Sequence, residues 1–165
     1  MRLEKNPTTG KVLELFGPTV EFLTSPQEAQ SDFCVLKGTI PPGVSVPLHS
    51  HTDTEDFFVI SGEIEGLRQN SEGYKWIGAK TGDYIHVPSN ARHAWRNVSN
   101  KPTLVHIITT KNMGHFFQET GRLETNTSQP VTSEDLARFT EISTRYGYWN
   151  ASSEENASVG IRMSF

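Results

Sequence analysis

Short runs of apolar residues alternate with turn-forming residues through the central part of the chain. The runs lie at residues 33–36, 57–60, 64–67, 74–77, 84–87, 94–98 and 104–108. Glycine, proline or asparagine follows most of them, as in Pro41-Pro42-Gly43 and Thr81-Gly82-Asp83. Short strands separated in this way, with no helix between them, are typical of an all-β sandwich or barrel. Residues 12–23 predict one or two further strands.

The hydrophobic period changes near the C-terminus, where one helix is predicted at about residues 133–146. Thr132 is suited to be its N-cap, with Asp135 three residues later in a variant of the capping box. Gly147 stands where a left-handed glycine would end the helix. One apolar stripe, which we expect to pack on the barrel or on a partner subunit, is formed by Leu136, Phe139, Ile142 and Tyr146.

Composition and charge exclude several classes of protein. The chain has 165 residues, a formal net charge of −4 and one cysteine, Cys34. This length predicts one domain with its own core, and a lone cysteine excludes a disulfide scaffold. No two basic residues are adjacent, which argues against a nucleic-acid partner. We expect a cytoplasmic protein without a membrane partner, because no apolar run would span a bilayer and the N-terminus lacks a signal-peptide pattern.

Two separate segments supply candidate metal ligands. His49, His51 and Glu55 would lie on one face of an extended segment, because side chains alternate along a strand. His93 begins another predicted strand that could pair opposite them. Imidazole and carboxylate donors together suit a first-row divalent ion. The sequence therefore predicts a metal site of His49, His51, Glu55 and His93.

The spacing of these residues resembles the two motifs of the cupin superfamily. The first motif is matched by Gly43, His49, His51, Glu55 and Gly62, and the second by Gly82, Pro88, Asn90, His93 and Asn97. Asn90 stands where the family usually has glycine, a mild departure because asparagine tolerates the left-handed conformation. The resemblance implies a double-stranded β-helix, a jelly-roll barrel, with the four residues as metal ligands near one mouth. It divides the chain into N-terminal strands (1–30), a cupin barrel (31–112) and a C-terminal extension with the helix and a polar tail (113–165).

A shorter similarity favours one activity. Segments 114–117 and 145–147 are similar to the aromatic pair and the terminal Tyr-Gly of quercetinase-like cupins. This similarity implies a dioxygenase, an oxidoreductase that uses O₂ on a small enolisable or phenolic substrate, with Glu55 as both ligand and base. Phe57 and Trp95 share the strand face of the ligands and are candidate pocket residues, together with His115 and Phe116. Large side chains in a barrel can also simply fill its interior, but for Trp95 we favour the pocket interpretation.

Two other functions stay open at this point. One is a non-oxidative metal-dependent isomerase or lyase of a small hydroxy-carbonyl compound, and the other is a small-molecule-binding cupin without turnover. The ion could be Fe, Mn, Ni, Co, Cu or Zn, since this donor set accepts each of them. The cupin resemblance also implies a homodimer, with residues 12–23 and the terminal helix as candidate interface. Whether the chain after Asn150 is ordered does not follow from its polar composition.

Overall fold

A computed structural model describes residues 11–27, 32–125 and 130–162 of the chain. The strands are β1 Val12–Glu14, β2 Thr19–Thr24, β3 Phe33–Ile40, β4 Ser45–Ser50, β5 Glu55–Ser61, β6 Glu63–Asn70, β7 Gly73–Lys80, β8 Tyr84–Val87, β9 His93–Arg96, β10 Thr103–Thr110, β11 Arg122–Leu123 and β12 Trp149–Asn150. The helices are α1 Lys111–Thr120, α2 Ser133–Tyr146 and α3 Ser153–Ser158. None of the described helices is long and apolar enough to cross a bilayer.

Two antiparallel sheets face each other and form the predicted β-barrel. One has seven strands in the order β11-β1-β2-β3-β10-β5-β8, and the other has five in the order β12-β4-β9-β6-β7. Six of the seven apolar runs lie within strands, the run at 94–98 extends two residues beyond the end of β9, and residues 12–23 contribute β1 and most of β2. The β2 strand pairs with β3, so the N-terminal strands extend the barrel sheet itself. Residues 1–10 and 28–30 of the predicted N-terminal division, and residue 31 at the start of the predicted barrel, lie outside the described residues.

The core lies between the two sheets, because alternate residues of each strand point inward. Burial alternates residue by residue along β3 and β10, which pair along their whole length. The five-stranded sheet contributes Ile64 and Trp95 to a cluster that otherwise comes from the opposite sheet. The buried residues of this cluster are Leu13, Val20, Phe22, Cys34, Leu36, Ile40, Phe57, Val59, Ile64, Val87, Trp95, Val105 and Ile107. Because side chains fill the interior of the barrel, a binding site is expected at one of its ends.

The predicted C-terminal helix is confirmed as α2, with the predicted ends. Thr132 caps it by accepting a hydrogen bond from the Asp135 backbone, and the Asp135 side chain accepts one in return, which completes the capping box. Gly147 ends it in the left-handed conformation, with φ of 72°. The apolar side of α2 packs mainly on α1, through a cluster that includes Ile142, Met113 and Phe116.

The chain after Asn150, whose order the sequence left open, folds onto the outside of the five-stranded sheet. Asn156 at the end of α3 is fully buried, and its side chain accepts a hydrogen bond of 2.9 Å from the backbone N–H of Leu48. Ile161 packs with Leu48, Leu67 and Ala94, the outward-facing residues of β4, β6 and β9. These strands are therefore covered on both faces, and a segment of polar composition forms part of the structure.

Gly66 on β6 gives a testable packing prediction. A Cβ atom at this position would lie 2.7 Å from the Trp95 ring, whereas a Cβ at Gly78 on the neighbouring strand would meet nothing within 4 Å. We expect Gly66→Ala to lower the free energy of unfolding by about 1–3 kcal/mol, the usual cost of overpacking. Urea denaturation measures this, with Gly78→Ala as the control. Equal stability of the two variants would contradict the tight Trp95–Gly66 contact.

Candidate metal centre

The first three predicted ligands meet where the chain crosses from one sheet to the other. β4 ends at Ser50 in the five-stranded sheet, and β5 begins at Glu55 in the seven-stranded sheet. Residues 51–54 form the bend between them. The expectation that this segment stays extended was wrong, because it must turn to connect the two sheets. His49, His51 and Glu55 nevertheless converge, since the crossing brings the ends of both strands to the same barrel mouth.

His93 completes the group from β9. It pairs directly opposite His49 in the ladder between β4 and β9. Ligand nitrogens of His49, His51 and His93 all lie within 4.8 Å of one another. The Oε2 atom of Glu55 lies 3.3 Å from His51 Nε2 and 3.6 Å from His93 Nε2. The structure thus brings all four predicted residues together, with Glu55 beside two of the three imidazoles.

Backbone carbonyl groups orient all three imidazoles in the same way. The Nδ1 atoms of His49, His51 and His93 lie 2.7, 2.8 and 2.8 Å from the carbonyl oxygens of Pro47, Asp53 and Ala91, respectively. Because a carbonyl oxygen only accepts, each Nδ1 carries the proton and each Nε2 presents its lone pair. Metal-binding histidines are held by this kind of contact.

Two of the three inward nitrogens lack a hydrogen-bond partner in the described structure. His51 Nε2 and His93 Nε2 are buried and make no hydrogen bond of acceptable geometry. A buried polar atom without a partner is costly, so such atoms need an explanation. Two of them converge beside a buried carboxylate, which is the donor set that a divalent transition metal accepts. The residues present therefore fit a metal ion.

Burial and the neighbouring side chains shift the pKa values of His49, His51 and Glu55. Burial, together with neighbouring His93 and His51, lowers the pKa of His49 to about 3, so this imidazole is neutral at pH 7. Burial alone would raise the pKa of Glu55, but the adjacent His51 and His93 outweigh burial and leave that pKa below its ordinary value. Burial opposes a charge on His51 too, yet the Glu55 carboxylate raises its pKa overall. Glu55 is therefore anionic and carries the negative charge of the cluster.

The predicted pocket residues divide into two groups. Trp95 lies beside the centre, with its ring 6.2 Å from that of His93 and 4.5 Å from that of Phe57, and both aromatic side chains are buried. Phe116 is one ring further away, because it packs at 4.7 Å on Tyr148, which in turn lies 5.5 Å from His51. His115 lies in the helix α1, and the ring contacts of the three histidines do not include it.

Two asparagines of the motifs support the site without facing it. Asn90 has φ of 61°, as its tolerance of the left-handed conformation predicts, and its N–H donates to the carbonyl of His51 over 2.7 Å. Asn97 is buried and donates to the carbonyls of Ile40 and Lys101. The first contact ties the two ligand segments together, and the second closes the loop after β9.

Sequence reasoning missed a polar group behind His51. Asp53 is buried, and its carboxylate accepts hydrogen bonds from Thr110, Asn112 and Tyr148. The signal available was the position of an aspartate between two candidate ligands. Its partners could not be found from the sequence, because Tyr148 follows Asp53 by 95 residues.

Comparison with known proteins supports the same barrel. The family model described as "Cupin domain" matches residues 36–109. No curated protein sequence matches the chain significantly. Among solved structures, oxalate decarboxylase from Bacillus subtilis is 24% identical with a TM-score of 0.52, over 61% of this chain and 27% of that chain. One chain from the crystal structures of the DMSP lyases RdDddP and RnDddQII matches with 24% identity and a TM-score of 0.49, over 56% of this chain and 47% of that chain.

The cupin domain of Schizosaccharomyces pombe Cnp3 matches with 14% identity and a TM-score of 0.49, over 62% of this chain and 69% of that chain. The chain thus spans less than half the length of the first two structures. At these identities the likeness to oxalate decarboxylase concerns the fold. The domain match over residues 36–109, the two motifs and the paired antiparallel sheets agree, and together they support a small cupin-superfamily domain in this part of the chain.

Proposed function

We propose that this protein is a metal-dependent enzyme in which His49, His51, His93 and Glu55 hold one divalent transition metal ion. The observation that carries the proposal is the convergence of buried imidazole nitrogens with no hydrogen-bond partner. One structure of the same fold, the B. subtilis oxalate decarboxylase, is described as having Mn(II) centres. That is a property of that protein, and it makes Mn one of the ions to test here.

The ion, when bound, would polarise a substrate oxygen as a Lewis acid and, if redox-active, would also permit chemistry with O₂. The chain's own groups do the remaining work. The carbonyls of Pro47, Asp53 and Ala91 keep the imidazoles oriented. Glu55 can take a proton from a substrate at its carboxylate, because its pKa lies below the ordinary value and Oε2 lies 3.3 and 3.6 Å from the Nε2 atoms of His51 and His93.

Within this class we favour a dioxygenase that acts on a small enolisable or phenolic substrate. Such a substrate would lose one proton to Glu55 and place its ring or acyl part against apolar side chains. Trp95 and Phe57 supply an aromatic wall next to His93 and exclude water from that side. O₂ would be the second substrate. The arrangement of a carboxylate base beside an aromatic surface supports this choice.

A non-oxidative lyase or isomerase of a small hydroxy-carbonyl compound is the second candidate. It needs a Lewis acid and a base but no redox change, and Glu55 beside two imidazoles satisfies both needs. In the described part of the chain, the ion pairs of Glu55 involve only histidines, so the carboxylate is not neutralised by a Lys or Arg. A binding protein without turnover is the third.

One assay separates the three. The metal-free protein is reloaded with Fe, Mn, Co, Ni, Cu or Zn and given a flavonol, a 1,3-dicarbonyl or a small hydroxy acid. We expect O₂ uptake on an oxygen electrode with a redox-active ion and no uptake with Zn. Turnover under argon, followed by NMR, would replace the dioxygenase with the non-oxidative enzyme. Binding of ion and probe without any product would leave the binding protein.

We also propose a homodimer in the cytoplasm, on the basis of the sequence and the cupin resemblance. Residues 12–23 and α2 remain the candidate interface. The outer face of the seven-stranded sheet also exposes Phe58, Ile60 and Tyr84 to 41%, 40% and 55%. Light scattering at micromolar concentration should give twice the chain mass of 18.4 kDa. A mass of one chain would contradict the dimer.

A further inference from the structure

The buried carboxylate of Asp53 lies directly behind the metal centre. Asp53 is 5% exposed and stands in the bend between His51 and Glu55. Its oxygens accept hydrogen bonds from the Thr110 hydroxyl, the Asn112 amide and the Tyr148 phenol. The ion pairs of the described residues give it no Lys or Arg partner. Because a buried carboxylate is costly unless its lone pairs are satisfied, these three neutral donors determine where Asp53 can sit.

The backbone of Asp53 in turn holds a metal ligand. Its carbonyl oxygen accepts the Nδ1–H of His51 over 2.8 Å. Residues 51–54 belong to no strand, so regular ladder hydrogen bonds do not fix this carbonyl. The flanking carbonyls of His51 and Thr54 accept hydrogen bonds from the Asn90 N–H and the Thr109 hydroxyl. The side chain of Asp53 is a further anchor of the same bend, and it bears on the direction of the Asp53 carbonyl and so of the His51 lone pair. A rotation of that peptide would turn the imidazole away from His49 and His93.

Tyr148 is the member of this network with the most support. Its ring lies 5.5 Å from that of His51 and 4.7 Å from that of Phe116, so it is packed between the ligand and α1. Asn112 donates to its hydroxyl oxygen over 3.2 Å, which leaves the phenol proton for Asp53. Tyr148 is 9% exposed.

The C-terminal segment places Tyr148 against the ligand strand. Tyr148 directly follows Gly147, the left-handed end of α2, and its N–H donates to the carbonyl of Ser143 within that helix. The next two residues form β12, where Trp149 pairs with Ser50 and Asn150 with His49. The segment that carries the phenol is therefore hydrogen-bonded to the strand that carries the first ligand.

We propose, on the basis of the metal centre inferred above, that Tyr148 is a positioning residue that holds His51 in its metal-binding orientation through Asp53. The affinity of the barrel for its ion then depends on a side chain from the C-terminal extension. Residues outside the cupin motifs then also contribute to metal affinity, because the matched residues 36–109 end before Asn112 and Tyr148.

The test compares two tyrosines of one aromatic cluster. Tyr148→Phe removes the hydroxyl that bonds Asp53, and Tyr146→Phe removes a hydroxyl that donates to Glu119 over 2.6 Å. Full-length metal-free proteins are titrated with Co²⁺ and with Mn²⁺, and the visible spectrum of the Co²⁺ form is recorded. We expect Tyr148→Phe to lower the affinity for both ions about 10-fold, which is the lower end of the effect of removing a partner of a metal ligand. Tyr146→Phe should keep the wild-type affinity and spectrum.

Stability separates a positioning role from a merely structural one. Tyr148→Phe loses the bond to Asp53 and the bond from Asn112, whereas Tyr146→Phe loses the single bond to Glu119. The melting temperature of the metal-free form should therefore fall further in Tyr148→Phe than in Tyr146→Phe. A structural role would lower stability and leave the Co²⁺ spectrum and affinity unchanged. Asn112→Ala removes one donor to Asp53 from an exposed position, and it should lower the affinity for the ion about 3-fold. This variant replaces Tyr148→Phe in the test if Tyr148→Phe does not fold.

The outcomes distinguish this inference from the proposed function. Wild-type affinity in both Tyr148→Phe and Asn112→Ala would overturn the positioning role and leave the metal centre intact. A wild-type protein that binds neither ion would overturn the metal centre and the positioning role together. Weakening by Tyr146→Phe as large as that by Tyr148→Phe would also overturn the role, since it would follow from loosened packing.

Discussion

Replacing His93 with alanine is expected to remove the metal ion from the purified protein. His93 is 5% exposed and presents an unpartnered Nε2 to the centre, opposite His49 in the strand ladder. Loss of a direct ligand should cost more than the 10- to 100-fold that follows loss of a ligand's supporting partner. Elemental analysis of protein purified without chelator should give about one ion per wild-type chain and almost none per variant chain.

Two further measurements sharpen this result. His86→Ala is the matched control, because His86 is an exposed histidine that contacts Asp56 on the outer face of the same barrel. It should keep the wild-type metal content. Chelator should lower the melting temperature of the wild type and leave that of His93→Ala unchanged, since an ion at 100 times its Kd stabilises by about 2.7 kcal/mol. Equal metal content in wild type and His93→Ala would contradict the centre.

Glu55→Gln is expected to abolish most turnover while leaving much of the metal in place. Glutamine keeps the shape of the side chain but removes the charge and the ability to take a proton. We expect kcat to fall by about 10²- to 10⁴-fold, the usual contribution of a positioned base. The three imidazoles, whose nitrogens lie within 4.8 Å of one another, should still retain the ion at reduced affinity. Turnover is measured with the probe that the wild-type assay identifies, together with metal content in the same samples.

The control for this variant is the neighbouring acidic residue. Asp56 points to the outer face, where its carboxylate accepts from the Tyr84 hydroxyl and contacts His86. Asp56→Asn removes the same charge from the same strand and should leave kcat unchanged. Full turnover with full metal content in Glu55→Gln would show that Glu55 is not the base. Loss of metal in parallel with activity would instead make Glu55 principally a ligand.

Most strands and the helix α2 could be predicted because their signals are local. The period of the apolar runs and the capping residues around Thr132 and Gly147 depend on residues a few positions apart. The helix α1 was missed because no clear local signal marks where it begins. It contains Gly114, and its N-cap Thr110 is also the last residue of β10. An apolar run that leads straight into a capped helix has no turn residue to mark the boundary.

The candidate site shows the same division. The four predicted ligands converge, and they could be proposed because donor type and spacing are written in the sequence. The reason first given for their convergence, alternation along one strand, does not hold between Ser50 and Glu55. The pocket residue His115 could not be placed either, because its direction depends on the orientation of α1. The dioxygenase activity and the ligand roles stay predictions until the experiments above are done.

The sequence by itself determined the secondary structure of the barrel, the ends of α2 and the set of candidate donors. Each of these depends on residues close together in the chain, where period, capping and spacing leave a readable pattern. Only the tertiary structure decided that the Nε2 atoms face inward, that residues 51–54 cross between sheets, and that Tyr148 reaches Asp53 across 95 residues. Such contacts depend on how the whole barrel closes and on which backbone and side-chain groups then lack water, and no local pattern records them.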